Sequence, residues 1–174
     1  MTAIAPLIES LTLLNRQINE ADAESEKVVR EGEVVRRLCT APGVGPVTAT
    51  TFAATIDDAS GFGAAKQVRS YLGLVPREYS SGERERRGRI SKAGGSRART
   101  LLVEAAWALL RWRDSKNQAL YDRAVRIAAR RGRARACAAP ARKMAGVLYA
   151  MWRDGTGFDA RAFGRGASES AAAA

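Results

Sequence analysis

The sequence predicts an all-α, mainly helical protein with an N-terminal coiled-coil-like helix, a helix-hairpin-helix and one short basic loop or β-hairpin. Three observations carry that expectation. Apolar residues recur at steps of three and four in successive stretches between Leu7 and Trp152, glycine and proline punctuate the gaps between stretches, and the strand-helix alternation of an α/β domain is absent. At 174 residues and 46% hydrophobic content, the chain can build one domain core and still extend a helical arm.

The arm comes first. Leu7, Leu11, Leu14, Ile18 and Ala21 follow at alternating steps of four and three, and the phase resumes at Val28 and Val35 after Ser25 and Gly32. Glu9, Arg16, Glu20, Glu24, Lys27 and Glu31 fall between them, so one edge is solvated and the other seeks a partner helix. The arm could fold back on its own domain; pairing between subunits is favoured here, which predicts a homo-oligomer through residues 7–35. Pro6 marks the start of the seam, and Ser25 and Gly32 weaken it. The expected organisation is an arm over 1–37, a domain over 38–154 and a disordered tail over 155–174, where the chain turns to Gly, Ala and Ser.

From Leu38 to Ile56 the helix breaks at Pro42-Gly43 and restarts at Pro46, a residue suited to a first helical turn. Gly43 and Gly45 leave room for close approach, and the free amides of the new helix point outward with the positive end of its dipole behind them. A phosphate fits there, as in a helix-hairpin-helix; a plain tight connection in a bundle is the competing reading. A short helix through Val68 and Leu72 then ends at Gly73.

Gly73 to Thr100 is different in character. It holds eight basic residues (Arg77, Arg84, Arg86, Arg87, Arg89, Lys92, Arg97, Arg99) against three acidic ones, and Gly82 and Gly88 interrupt any helix. Ser96 caps the next helix, whose Leu101, Leu102, Ala105, Leu109 and Trp112 make it the central core element, with Trp107 on its flank. Beyond Asp114 a further helix carries Arg123, Arg126 and Arg130 opposite Leu120, Ala124, Ile127 and Ala128. Pro140 is expected to open the last helix, through Met144, Val147, Leu148, Met151 and Trp152, which closes at Asp154-Gly155.

Charge narrows the partner. The chain carries +11, with residues 1–40 at −2, so the remainder holds +13. Between Arg123 and Lys143 eight basic residues stand without an acidic one, so the stripe lacks the intrahelical ion pairs of an ordinary solvated face. A polyanion is the expected partner, DNA or RNA. No stretch reaches the length of a membrane span and the acidic N-terminal segment is unlike a signal peptide, so a cytoplasmic location without membrane contact is expected. With no histidine and two distant cysteines, Cys39 and Cys137, the usual zinc spacings and histidine triads are excluded.

Three stretches, APGVGPVTATTFAATI, YLGLVPREYSSGERERRGRISKAGGSRART and LLVEAAWALLR, resemble in order the C-terminal transposase domain of the insertion-sequence-110 family, grouped with the 116 and 902 types. The match runs from about Leu38 to Arg111. Its most specific part is Gly-Leu-Val-Pro followed by Ser-Gly, a basic run and Ser-Lys-Ala-Gly before a helix. The resemblance implies DNA transposition, with the serine before the glycine as nucleophile; that is Ser81, and the adjacent Ser80 is the alternate. It also implies coiled-coil assembly through the preceding helix and a structured guide RNA as partner. Complete members begin with a nuclease-like domain whose four acidic residues bind a divalent metal such as Mg, for which this chain has no room. Asp57 and Asp58 are assigned no metal, so no cofactor is expected in this chain.

Two functions compete. In the first, Ser81 attacks a phosphodiester while the arginines stabilise the charge that develops, with the acidic domain supplied from elsewhere. In the second, Ser80-Ser81-Gly82 is a plain turn and the chain is a non-catalytic nucleic-acid-binding module. The expected phosphate contacts in either case are Gly43, Gly45, Arg84, Arg86, Arg87, Arg89, Lys92, Arg97, Arg123, Arg126 and Arg130.

Overall fold

A computed structural model describes residues 4–81, 84–111 and 118–159. Its elements, in order, are α1 (Ala5–Glu31), α2 (Glu33–Leu38), α3 (Pro46–Ile56), a 3-10 turn (Ala59–Gly61), α4 (Ala65–Tyr71), β1 (Pro76–Ser81), β2 (Arg84–Ile90), α5 (Ser96–Arg111), α6 (Gln118–Arg131) and α7 (Arg133–Asp154). The all-α expectation holds. The two strands pair only with each other, antiparallel, and the buried core among the described residues comes from helices and the turns joining them.

α7 is the hub: it packs against α5, α6, α4 and α2. Its Ala141, Met144, Ala145, Leu148 and Met151 are buried at helical steps and meet Ala98, Leu102, Ala105, Ala106 and Leu109 of α5, with Phe52 and Ile56 of α3 and Val68 of α4 completing the core. Each fully buried side chain of leucine or phenylalanine size contributes about 1.5–3 kcal/mol. On α5 the sequence pattern singled out Leu101, which is half-buried along with Trp107, whereas Ala98 and Ala106 lie inside; Trp112 falls outside the described residues.

Pro140 does not open the last helix. α7 begins at Arg133, behind Gly132 at φ 83, and carries Pro140 in its interior. Proline deletes one intrahelical hydrogen bond, but Cys137, Pro140 and Ala141 are buried together, so packing holds the helix through that defect. The break falls at Gly132, where left-handed backbone is cheapest for glycine.

The arm also departs from a continuous seam. α1 has no buried residue, and Leu7, Leu11, Leu14 and Ile18 are each more than half exposed. At Gly32 the backbone turns extended (ψ 104) and α2 restarts with Val35 buried in the core. Val35 therefore belongs to the domain rather than the seam, while α1 touches the domain at α2 and α3. At the other end Phe158, expected in the tail, packs on the core and donates its N–H to Thr40 Oγ1 at 2.9 Å; residues 160–174 lie outside the described residues. No described helix is long and apolar enough to cross a membrane. Cys137 is buried and Cys39 half-buried, neither in a disulfide, and burial raises the Cys39 thiol above its ordinary value.

The β-hairpin is fixed at its base by backbone crossing. Gly73 (φ 66) lies so close to the Lys92-Ala93 backbone that a methyl group there would fall within 2.7 Å of the Ala93 nitrogen, and Gly94 (φ 84) abuts the Tyr71 carbonyl. Ser91 donates its N–H to Val75 O at 2.8 Å and Lys92 to Gly73 O at 3.1 Å. The Arg99 guanidinium donates to Leu72 O at 3.2 Å and Ala93 O at 3.4 Å, tying α5 to both sides of the crossing. Replacing Gly94 with alanine combines left-handed strain with a backbone collision and is expected to cost about 3 kcal/mol, against about 0.5 kcal/mol or less for alanine at Gly61, which faces open space; chemical denaturation measures both.

Candidate nucleic-acid interface

Two helices flank the glycine turn, as the proline and glycine spacing requires. Val44 donates its N–H to Ala41 O at 3.1 Å across Pro42-Gly43, and Gly43 at φ 77 has the backbone that a type II turn demands at its third residue. The two glycines do different work. A methyl group on Gly43 would stand 2.8 Å from Ala105 O and 3.3 Å from Leu109 Cγ, so its bare Cα lets the turn seat on α5. Gly45 meets nothing within 4 Å, caps α3 without a side-chain hydrogen bond and is exposed. Val44 between them is buried and anchors the turn. Only at Gly45 does the missing side chain open space outward, toward the first-turn amides of α3.

The basic segment from Pro76 to Ile90 is a β-hairpin rather than a loop. In its register Ser81 opposes Arg84, Ser80 opposes Glu85, Tyr79 opposes Arg86 and Glu78 opposes Arg87, with an irregularity before Pro76 meets Ile90. The slip accommodates one extra residue on β2 in the stretch holding Gly88 and Arg89. Opposed residues share a face and successive ones alternate. The register therefore groups Ser81 with Arg84 and Arg86, and Ser80 with Glu85 and Arg87. Gly82 and Glu83 lie outside the described residues.

Other cations divide by what they touch. Lys92 is exposed at φ 57 beside the crossing. Arg97 is exposed in the first turn of α5 and lines an open groove of about 550 Å³ together with Glu20 and Glu24 of α1. Arg77 donates to Ser91 O at 3.1 Å and Arg99 grips the crossing, so both serve the fold; composition gives no hint of that difference. On α6, Arg126 and Arg130 are exposed and Arg123 lies on the same helix, steps of three and four apart. The structure thus brings Ser81, Arg84 and Arg86 into one register group, while the α6 row and the glycine turn belong to other elements.

Among the described residues no three histidine, cysteine, aspartate or glutamate side chains come together. Asp57 caps the C-terminus of α3 at φ 62 and ψ −63, and Asp58 caps the 3-10 turn, accepting from Ser60 N at 2.8 Å and from the Ser60 hydroxyl. Those two hydrogen bonds hold the Asp58 carboxyl below its ordinary value.

Residues 35–122 match the family described as Transposase IS116/IS110/IS902. The "Transposase for insertion sequence element IS1111A" of Coxiella burnetii is 38% identical over 143 residues, 80% of this chain and 39% of that protein. A "Probable family 20 transposase" of Pseudomonas aeruginosa is 34% identical over 145 residues, 83% of this chain and 43% of the relative. The "Insertion element IS110 uncharacterized 43.6 kDa protein" of Streptomyces coelicolor is 28% identical over 158 residues, 91% of this chain and 38% of its own length. The chain thus spans about two fifths of the length of these relatives.

The unlike surroundings of the two turn glycines set an order of stability. Gly43→Ala forces left-handed strain and a backbone contact and is expected to cost about 2 kcal/mol or more, whereas Gly45→Ala alters only the cap and costs about 1 kcal/mol or less, as read from paired thermal unfolding curves.

Proposed function

This chain belongs to the IS116/IS110/IS902 transposase family, and on that premise we propose that it is the DNA-handling part of a transposase whose nucleophile is Ser81. The observation that carries the reading is the span of the family match, which takes in the glycine turn, the basic hairpin and the helix behind it. The hairpin register supports Ser81 over Ser80, because Ser81 shares its register group with two arginines and Ser80 opposes a glutamate.

In the proposed step the Ser81 hydroxyl oxygen attacks the phosphorus of a DNA phosphodiester. A serine-phosphate bond forms, one bond from phosphorus to a deoxyribose oxygen breaks, and that oxygen leaves as a hydroxyl end. Arg84 and Arg86 offset the negative charge on the pentacovalent phosphorus. The phosphoester linkage conserves the bond for rejoining to another hydroxyl end. The serine proton needs an acceptor, which guanidinium groups cannot be and which histidine, absent from this sequence, would ordinarily be. Acidic groups of a longer transposase or a partner would supply that acceptor.

The helix-hairpin-helix at Gly43–Gly45, the α6 row and Lys92 serve as backbone contacts that position DNA without reading its bases. By the family resemblance, a structured guide RNA is the further polyanionic partner and chooses the site. The exposed apolar seam of α1 pairs with a second copy, forming a homo-oligomer, since the arm leaves Leu7, Leu11, Leu14 and Ile18 in water.

Two experiments test this. Incubated with DNA from its element's ends and a supplied acidic domain, the protein is expected to give a covalent protein-DNA adduct on a denaturing gel, with Ser80→Ala retaining it and Ser81→Ala abolishing it. Equal adduct from wild type and Ser81→Ala would refute the nucleophile, and binding without adduct in every case would leave a non-catalytic binding module. Deleting residues 1–31 is expected to lower the light-scattering mass of the oligomer to that of the monomer; an unchanged subunit number would remove the intermolecular seam.

A further inference from the structure

One large aromatic side chain stands in solvent where the chain crosses at the base of the hairpin. Tyr71, the last residue of α4, is 51% exposed. Its main chain is fixed: the Tyr71 carbonyl abuts Gly94, where a methyl group would collide with it, and the next carbonyl, of Leu72, accepts from Arg99 at 3.2 Å. α4 is in turn seated on α7, because half-buried Arg69 lies so close to Gly146 that a methyl group there would fall 2.7 Å from its Nε.

The ring is held as well. Phe62 meets it edge to face, with centroids 5.5 Å apart and planes at 63°. Phe62 packs on the core and meets the buried Tyr149 ring at 6.5 Å and 77°, while the Tyr149 hydroxyl donates to Phe62 O. Gly63 donates its N–H to Gln67 Oε1 at 2.7 Å, tying the segment that carries Phe62 to the turn of α4 that precedes Tyr71. An edge-to-face pair, whichever ring supplies the edge, leaves at least one face of Tyr71 uncovered by Phe62, and the exposure of the residue puts solvent on it. A mounted ring of this kind loses little side-chain freedom when a ligand covers that face.

The surroundings select the kind of ligand. Lys92, two residues before Gly94, is exposed at φ 57, and α4 carries Lys66 and Arg69 with no acidic residue. Asp58, the carboxylate nearest in sequence to Phe62, accepts from Ser60. A π face beside an exposed cation suits a nucleobase and its phosphate. A base inside a duplex already has both faces stacked, so the ring suits an unpaired one.

We propose that Tyr71 is a stacking platform for one unpaired nucleobase of a DNA strand, with Lys92 beside it for that nucleotide's phosphate. This rests on the DNA-handling reading above and adds to it contact with a base face, which duplex DNA does not expose. Stacking accepts any of the four bases, so the platform holds a strand without reading it. The ring sits at the base of the hairpin and Ser81 at the far end of β1, roughly 17 Å along that strand at about 3.3 Å per residue. The platform thus holds a base several nucleotides from the attacked phosphodiester.

Fluorescence anisotropy tests it with three fluorescein-labelled probes of equal length: a thymidine single strand, an abasic single strand carrying the same phosphates, and a duplex of arbitrary sequence. Wild type, Tyr71→Phe and Tyr71→Leu are compared across a salt series. Leucine keeps an apolar contact for Phe62, and affinity for the abasic strand and the duplex reports that the fold is intact. Tyr71→Leu is expected to bind the thymidine strand roughly tenfold more weakly at every salt concentration, since the lost contact releases no counterion. Tyr71→Phe keeps the π face and is expected to stay within about twofold of wild type, and all three proteins to bind the abasic strand and the duplex alike. Wild-type affinity of Tyr71→Leu for the thymidine strand would overturn the platform, as would an equal loss on the abasic strand or an equal loss in Tyr71→Phe. So would a Tyr71→Leu variant that changes the light-scattering mass but not the affinity, which makes the ring a protein contact. A wild type that binds the duplex and neither single strand overturns the platform alone; one that binds no probe ends the DNA-handling reading and the platform with it.

Discussion

The crossing of two backbone segments at Gly73 and Gly94 is the constraint on which the candidate chemistry depends. A two-stranded hairpin by itself is marginally stable in water, and this one carries a basic sequence with little to bury. Its base is nonetheless fixed, because the chain leaving α4 and the chain entering α5 pass at a separation that only glycine permits. Arg99 then donates to carbonyls on both sides of the crossing, so the orientation of the hairpin follows from that of α5. Strand register carries the order outward from that base to Ser81 and Arg84.

Behind the crossing stands α7, which joins the other helices into one core. Its one glycine and its alanines allow close approach on several sides: Ala141 and Ala145 are fully buried, and Gly146 admits a guanidinium. The positive charge is distributed over different supports. Some cations brace the fold, as Arg77 and Arg99 do, Arg97 lines the groove beside the arm, and others stand exposed on α6. A net charge of +11 predicts attraction to a polyanion, yet the geometry separates cations that brace the fold from those left exposed.

Much of the site was legible in outline. Pro42, Gly43, Gly45 and Pro46 announced a turn between helices, because proline and glycine restrict or free the backbone in ways that need no distant partner. The basic run between Gly73 and Thr100 announced an irregular, polar element. Arg69 was not legible: it lies in a short amphipathic helix, and its character comes from Gly146, far along the chain, and from the burial that α7 imposes. Nor could the sequence divide the labour of Gly43 and Gly45, since the difference is the presence of Ala105 beneath one and solvent beside the other.

By itself the sequence determined the helical class, the positions of the main turns, the exposed apolar seam of the arm, the basic excess and the family motif, all of which depend on local periodicity, backbone freedom or composition. Tertiary structure decided what those local rules leave degenerate. It carried Pro140 inside a helix, because burial on both sides outweighs one lost hydrogen bond. It ended the seam at Gly32 by drawing Val35 into the core. It turned a basic stretch of undecided form into a hairpin whose register gives Ser81 and Ser80 different neighbours. In the first two instances the deciding contact joins residues distant in sequence, and the free energy of such a contact exists only after the chain has brought them together; in the hairpin the pairs are close in sequence, and what the local pattern left open was their register.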